Sequence, residues 1–453
     1  MAERKVKKSR VVTRKSAVQS AFPFSRSAQP VFASNGAKQP KYLTDYRSQA
    51  WSAYEAASIP AVSEEPWRRT SLRDLQAGSF AIPTPEQAAK LPPIPNALAP
   101  ETSGDEYGGR AVLSPQGVDV ELDDDLVSQG VIFTSLEEAA LHHPQVLERV
   151  LGKLVSPSED KFSSMTAAFA GKGIVLYVPA GVRVEKPLHS LFWGPGLSLA
   201  HFSHILVHID DRAEASLVHE YQSPTEDGGQ TLHSGIVELH VGENARLNFV
   251  EYQSWGRHVW NFSHERARVA RDGHLDWVFG AVGSRLTKNF TEIDLVGQGA
   301  VGRMSGFYFT DGDQHLDHDT QQNHHAPNTT SDLLFKGALD DRSRSVWQGM
   351  IYVAPDAQKT DGYQSNPNLV LSKGARADSI PGLEILADDV RCTHGATVGK
   401  IDPEEVFYLQ ARGITADDAQ RLIVEGFFDP ILQRIHLEGL RRRFRQSIVD
   451  KLD

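Results

Sequence analysis

From about residue 160 to 400 the chain reads as a succession of short alternating apolar runs. They include "GIVLYVPAGVRVEKPL" (173–188), "HILVHIDDRAEASLVHEY" (204–221), "GIVELHVGENARLNFVEYQ" (235–253) and "GMIYVAPDAQKTDGYQS" (349–365). Period-two alternation in short runs predicts strands. A recurring mark separates them: a polar or glycine pair, a small residue, then a new strand. Asp211-Arg212-Ala213, Glu243-Asn244-Ala245, Gly297-Gln298-Gly299-Ala300, Lys373-Gly374-Ala375 and Asp388-Asp389-Val390 are instances. The marks are unevenly spaced, so no strict repeat exists. Strand–turn–small–strand without intervening helices points to a stacked solenoid or a sandwich. A β-helix is preferred, because each unit repeats one motif and no Asn-Gly hairpin turns occur.

The flanks carry a different period. "KYLTDYRSQAWSAYEAASIP" (41–60) places Tyr42, Tyr46, Ala50 and Tyr54 at helical spacing, with Pro60 closing the helix. Residues 81–100 hold six prolines and read as an irregular linker. "SLEEAALHHPQVLERVLGKL" (135–154) resumes helix, with Ser135 as N-cap, Glu138 three residues on, and Pro144 dividing it in two. After Asp402, caps recur at Asp402-Pro403, at Thr415 and at Asp429-Pro430, which predicts three helices. In the last, Ile431, Ile435, Leu440, Phe444 and Ile448 form an apolar stripe. Four zones result: a disordered basic extension over 1–41, a helical domain with a proline-rich linker over 42–159, a β-helix core over 160–400, and a helical domain over 401–453.

Composition narrows the class. The 453 residues hold one cysteine, which excludes an internal disulfide framework and fits a reducing compartment. No apolar stretch reaches the ~18 residues of a membrane span. The net charge of −11 argues against nucleic acid as a partner. Residues 1–41 nonetheless carry ten Lys/Arg against Glu3 alone. Such a segment reads as a basic extension of a cytoplasmic protein, with a plastid transit peptide as the alternative.

Two stretches could carry chemistry. "DGDQHLDHDTQQNHHAPNTTSD" (311–332) offers His315, His318, His324 and His325 with Asp313, Asp317 and Asp319. No HExxH-type register is present, His315 and His318 would face opposite sides of a strand, and Gly312, Asn323, Pro327 and Asn328 suggest loops. The expectation is therefore structural. In "DDVRCTHGATVGKID" (388–402), Cys392 and His394 stand at i and i+2, on one face of a strand, before a turn-forming Gly395. An iron–sulfur cluster needs about four thiolate or imidazole ligands. One thiol cannot supply them, so a functional site here would lie at an interface between chains. Trp67 in "EEPWRRTSLRDL" (64–75) is expected to be buried. No phosphate-binding G-x-x-x-x-G-K-[ST] loop occurs, nor a G-x-S-x-G nucleophile elbow.

Several long motifs resemble the SufB/SufD family of the SUF iron–sulfur cluster assembly system. They are "KFSSMTAAFAGKGIVLYVPAGVRVEKPL" (161–188), the stretch from His315 to Ser372, and "PGLEILADDVRCTHGATVGKID" (381–402). "EEPWRRTSL" (64–72) and "GVIFTSLEEA" (130–139) fit the same family, and the resemblance spans about 42–451. Asn366 stands where SufB-like chains carry a cysteine, and Cys392-Thr393-His394-Gly395-Ala396 replaces their Glu-His-Glu-Ala type motif. Both features place the chain with the SufD branch. The resemblance implies a right-handed parallel β-helix flanked by helical domains, acting as a non-catalytic scaffold. It implies pairing with SufB and binding of the SufC ATPase at the C-terminal helices, about Asp402–Phe444. His394, with Cys392 as a second ligand, would contribute to a transient Fe–S cluster shared with SufB. Reduced flavin is associated with the complex, and no residue here is assigned to it. Two other classes compete: a β-helix polysaccharide lyase or hydrolase, for which Asp317 and Asp319 alone are insufficient, and a cupin-like metal enzyme using His315 and His318.

Overall fold

The alternating runs of the middle zone become the strands of a single β-solenoid. The computed structural model describes residues 21–32, 39–95, 98, 106–435 and 437–452. Strands from Lys172–Val178 to Arg391–Gly399 alternate between a nine-stranded and a ten-stranded sheet, giving about eight turns. All pairings between these strands are parallel. The start of the solenoid is closed by antiparallel pairs, Gly109–Leu113 with Val118–Leu122 and Ile132–Ser135 with Lys172–Val178. These three added strands fall inside the stretch expected to be helical. They are only four or five residues long, too short for their alternation to stand out from the flanking helical pattern.

The recurring turn mark has a stereochemical basis. Arg212, Asn244, Asp272 and Asn328 sit at φ of 54 to 58°, and Gly299 takes the same corner at 73°. An L-residue in this left-handed region costs roughly 1 kcal/mol, which the repeated corner offsets through stacking. The corner N–H of Arg212 donates to Glu243 O at 2.8 Å, that of Asn244 to Arg271 O at 2.9 Å, and that of Asp272 to Gln298 O at 3.0 Å. Each corner thus hydrogen-bonds the next coil. The small residue that follows, Ala213, Ala245 or Ala300, is fully buried and lets the chain turn over the lumen.

Three layers of side chains hold the fold. The lumen stacks Leu217, Phe249, Trp277 and Met304 in register on consecutive rungs. Outside the nine-stranded sheet, Phe202, Trp260 and Phe262 meet Phe162 and Phe169 of the helix Lys161–Phe169 and Tyr54 of the helix Lys41–Ala56. Outside the ten-stranded sheet, Val218, Val250, Phe307 and Phe309 meet Val424, Phe428, Phe444 and Ile448 of the C-terminal helices. Among the described residues, no helix is long and apolar enough to cross a membrane.

Three expectations need correction. Of the basic extension, residues 1–20 and 33–38 lie outside the described residues, but 21–32 are packed. Phe22 and Phe24 enter the aromatic layer beside Phe80, Phe162, Phe169 and Phe202. Asp429-Pro430 does not begin a helix: the helix Ala416–Leu432 runs through it, and the last one is Glu438–Asp450. Pro430 is tolerated because it falls in the final turn, where the carbonyl it leaves unpaired belongs to the exposed Gly426. Asn323 and Gly395 sit within strands His315–His324 and Arg391–Gly399.

The apolar stripe of the last helix is spent on its own solenoid, and an ion pair between an exposed arginine and a buried carboxylate fastens it there. Glu220 Oε1 accepts from Arg443 Nη2 at 2.7 Å and lies 2.7 Å from His189 Nε2. Burial works to raise the Glu220 carboxyl. The hydrogen bond and charge of His189, the Arg443 charge and the Gln222 amide outweigh it and hold the group at about 2. A depressed carboxyl contributes stability that is present above its unfolded value, about 4.5, and is lost as pH falls toward 2. Glu220→Gln is therefore expected to cost about 2–4 kcal/mol at pH 7. Denaturant unfolding should show the gap from the parent chain closing over that acid window.

Candidate functional site

Both sheets end at the same place. Arg391–Gly399 is the terminal strand of the ten-stranded sheet and Arg376–Ile385 that of the nine-stranded one. Each presents an unpaired row of N–H and C=O groups, which natural proteins usually cover or blunt. Around them Tyr363, Ile385, Leu386 and Val398 are exposed, Val398 at 52%. At the opposite end of the solenoid the closing antiparallel strands leave no comparable parallel edge pair among the described residues.

Cys392 and His394 lie on this terminal strand. Register pairs Cys392 with Gly362 and His394 with Gln364. A Cβ added at Gly362 would meet Cys392 Sγ and Ile351 Cγ2, both at 3.3 Å, so the thiol lies over the inner side of the last full coil. His394, two residues on, shares that face. The end of the lumen is therefore where the two donors stand. Cys392 is half-buried, packed against the small buried cluster of Ile351, Val353, Ala357 and Ala387. Burial pushes its thiol up, aided by the Asp361 charge and only partly offset by the Gly362 N–H. The thiol form is favoured in the chain alone, and metal binding must displace that proton. His394 is exposed, and its imidazole makes no hydrogen bond among the described residues. The imidazole is thus available as a donor, whereas the thiol needs an approaching cation.

Farther along the same strand, beneath Ala396 and Val398, the lumen is closed by amides. Asn366 Nδ2 donates to Phe335 O at 3.0 Å, Asn368 Nδ2 to Asn366 Oδ1 at 2.8 Å, and Ser379 Oγ to Asn366 Oδ1 at 2.6 Å. Tyr308 joins through its hydroxyl on Asn368 Oδ1 at 2.5 Å. This satisfied network makes a firm floor under the terminal strand.

The histidine-rich stretch is scattered by its strand. His318 points into the lumen against Phe279 and Tyr308, with burial, then Lys288, pushing it down to about 3. His324 is held by Thr329 at 2.8 Å and Ser331 at 2.9 Å, and His325 by Asp294 at 3.2 Å. His315 Nε2 faces outward, 2.8 Å from Thr70 Oγ1. Among the described residues no three His, Cys, Asp or Glu side chains gather to hold a metal. Asp317 has a different task, since it accepts from Thr70 and from the fully buried Lys288 Nζ at 3.0 Å. Trp67 is buried against Phe162, Phe262 and Phe290 at 5.6–6.0 Å. The 64–75 segment thereby straps the outer face of the nine-stranded sheet.

A second surface lies within the C-terminal helices, where the resemblance implied a partner site. The helix Pro403–Gln410 has no buried residue, and with Ala416–Leu432 it forms a groove of about 620 Å³. Tyr408, Leu409, Leu422 and Ile423 line it beside Asp402, Glu404 and Glu405. Phe407, on the same helix, is 71% exposed. Exposed aromatic and leucine side chains grouped this way mark protein contacts. The signal available in the sequence was "VFYL" (406–409), apolar all round within a short helix.

Residues 192–427 match the family described as "SUF system FeS cluster assembly, SufBD core domain", and 33–189 match "SufBD protein N-terminal region". The chain is 29% identical over 318 residues to "Iron-sulfur cluster assembly protein SufB" of Bacillus subtilis (strain 168), covering 70% of this chain and 68% of that one. It is 28% identical over 320 residues to an iron–sulfur cluster assembly SufBD family protein of Staphylococcus saprophyticus, with the same coverage of each. A SufBD family protein of Staphylococcus aureus (strain USA300) is similar to the same degree.

Proposed function

Because the chain belongs to the SufBD family of the SUF iron–sulfur cluster assembly system, we propose that it is the SufD-type scaffold subunit. Its open solenoid end pairs with the corresponding end of SufB, and a nascent cluster, as cargo, is held between them by His394 and by SufB groups. The observation that carries this reading is the coincidence of three features on one strand. It is the unpaired edge of its sheet, it is ringed by exposed apolar side chains, and it bears Cys392 and His394. The Bacillus subtilis relative bears the name SufB; Asn366, built into the amide floor, and the Cys-Thr-His triplet favour the other branch for this chain. In this reading the subunit performs no turnover of its own, and neutral imidazole suits a cluster that must leave again.

The test is Val398→Arg. Val398 is exposed on the terminal strand, so the chain alone is expected to fold with a stability change within about 0.5 kcal/mol. A desolvated charge in a strand-to-strand contact should weaken pairing with SufB at least tenfold, read by co-purification and by titration of the two chains. Unchanged pairing would sink the proposal for this surface.

The groove between Pro403–Gln410 and Ala416–Leu432 is the proposed seat of the SufC ATPase. Leu422→Asp is expected to lower SufC affinity on the order of tenfold or more, as loss of a central apolar contact does. Isothermal titration with purified SufC reads this directly. Pairing with SufB is expected to be unaffected by Leu422→Asp, and the same titration against SufB checks it.

A further inference from the structure

Deep in the solenoid, two carboxyls face each other across the lumen. Glu251 comes from strand Arg246–Ser254 of the ten-stranded sheet and Glu265 from strand Val259–Val269 of the nine-stranded sheet. They are 2% and 1% exposed, and neither has an ion pair with a Lys, Arg or His among the described residues. We propose that Glu251 and Glu265 form a proton-binding site, a carboxyl pair that holds one shared proton at neutral pH and ties the two sheets together through it.

The surroundings sort the two roles. Glu265 is supplied with donors: Ser263 Oγ to Oε1 at 2.9 Å and Thr291 Oγ1 to Oε2 at 2.9 Å, with the Asn289 amide also on it. It is the acceptor of the pair. Glu251 receives only the Trp277 indole besides its contact with Glu265, and its Oε2 has no partner. It is the proton carrier. Asn289 Oδ1 beside them is likewise without a partner, a second buried acceptor at the same place.

No neighbouring element brings a compensating charge. The strand Glu214–Gln222 contributes His219, directly below Glu251, and Tyr221. The strand Thr231–Val241 contributes His233, and His315–His324 contributes His318. Burial holds each of these three imidazoles down at about 3, so they are neutral, and it raises the Tyr221 phenol. The strand His274–Ala281 adds Trp277 and Phe279, and Leu286–Leu295 adds Asn289 and Thr291. Two anions at this spacing, without a cation and out of water, cannot both persist. Burial and the Glu265 charge push Glu251 up; burial alone pushes Glu265 up against its hydroxyl donors.

The sign of the pH dependence follows. A carboxyl raised in the folded state contributes stability that is fully present below its unfolded value and is lost as pH climbs through the folded value. The experiment is thermal unfolding of the full chain from pH 5 to 9, for wild type, Glu251→Gln and Glu265→Gln, with infrared detection of the protonated carboxyl C=O band. Glu251→Gln imitates the protonated acid. It is expected to melt above wild type at pH 9, with the two converging toward pH 5, and to abolish the carboxyl band present in wild type at pH 7. Glu265→Gln removes the acceptor charge and should return Glu251 to a lower titration point. Wild-type and Glu251→Gln melting curves parallel across the range would overturn the proposal. Should the Gln variants fail to fold, the wild-type spectrum decides. A protonated carboxyl band that persists at pH 7 and bleaches toward pH 9 supports the shared proton, and its absence at pH 7 refutes it.

Discussion

His394→Ala is expected to leave the chain folded, the complex with SufB and SufC assembled, and most of the bound iron and acid-labile sulfide gone. The side chain is exposed and makes no hydrogen bond among the described residues, so its removal should cost the fold less than about 0.5 kcal/mol. A first-row metal site that loses one of about four ligands loses far more. Iron and sulfide in the anaerobically purified complex, wild type against variant, give the answer. Full cluster content in His394→Ala would assign the imidazole a structural role and move the search to SufB or to Cys392. Cys392→Ser in parallel separates the two donors. Its thiol is protonated in the chain alone, so a smaller loss is expected there than from His394.

The second large effect concerns stability. Lys288 and Asp317 are both fully buried, their Nζ and Oδ1 3.0 Å apart, with Asp319 Oδ2 at 3.8 Å. Lys288→Met removes the cation and leaves the Asp317 carboxylate buried with only the Thr70 hydroxyl and the His315 environment to support it. A buried pair broken on one side costs about 3–5 kcal/mol, whereas replacing both partners costs little. Denaturant unfolding should therefore show a large loss for Lys288→Met and partial recovery in Lys288→Met/Asp317→Asn. A double-variant loss equal to the sum of the Lys288→Met and Asp317→Asn losses would mean that the pair is uncoupled. The same cycle tests the strap: Thr70 carries the 64–75 segment onto this pair, so Lys288→Met should also raise proteolytic cleavage near Trp67.

Much of this molecule was legible because its signals are short-range. Alternation within a run and a left-handed corner before a buried alanine concern only residues adjacent in the chain, as do the caps at Ser135, Asp402 and Thr415. The i, i+2 placement of Cys392 and His394 is equally local, and it puts both on one face whatever surrounds the strand. What the sequence could not tell is which face of each strand meets which neighbour. Both faces are covered, the lumen by its own coils and the outside by helices, so a buried polar residue has no apolar contrast to betray it. Glu251 and Glu220 sit on strands that look alike in sequence, yet one faces an acid across the lumen and the other an arginine on the last helix. The partners of Asp317 are 247 and 29 residues away in the chain. The stripe Ile431–Ile448 could not declare whether it would cover its own sheet or a partner; packing assigned it to the sheet and left Phe407, Tyr408 and Leu422 outside. The sequence alone determined the strand alternation, the corners and the identity of the two terminal donors, since these depend on local backbone stereochemistry. Tertiary structure decided which charges are paired, which surfaces stay open, and that the donors stand at an uncovered sheet edge, since those depend on which distant segments arrive to exclude water.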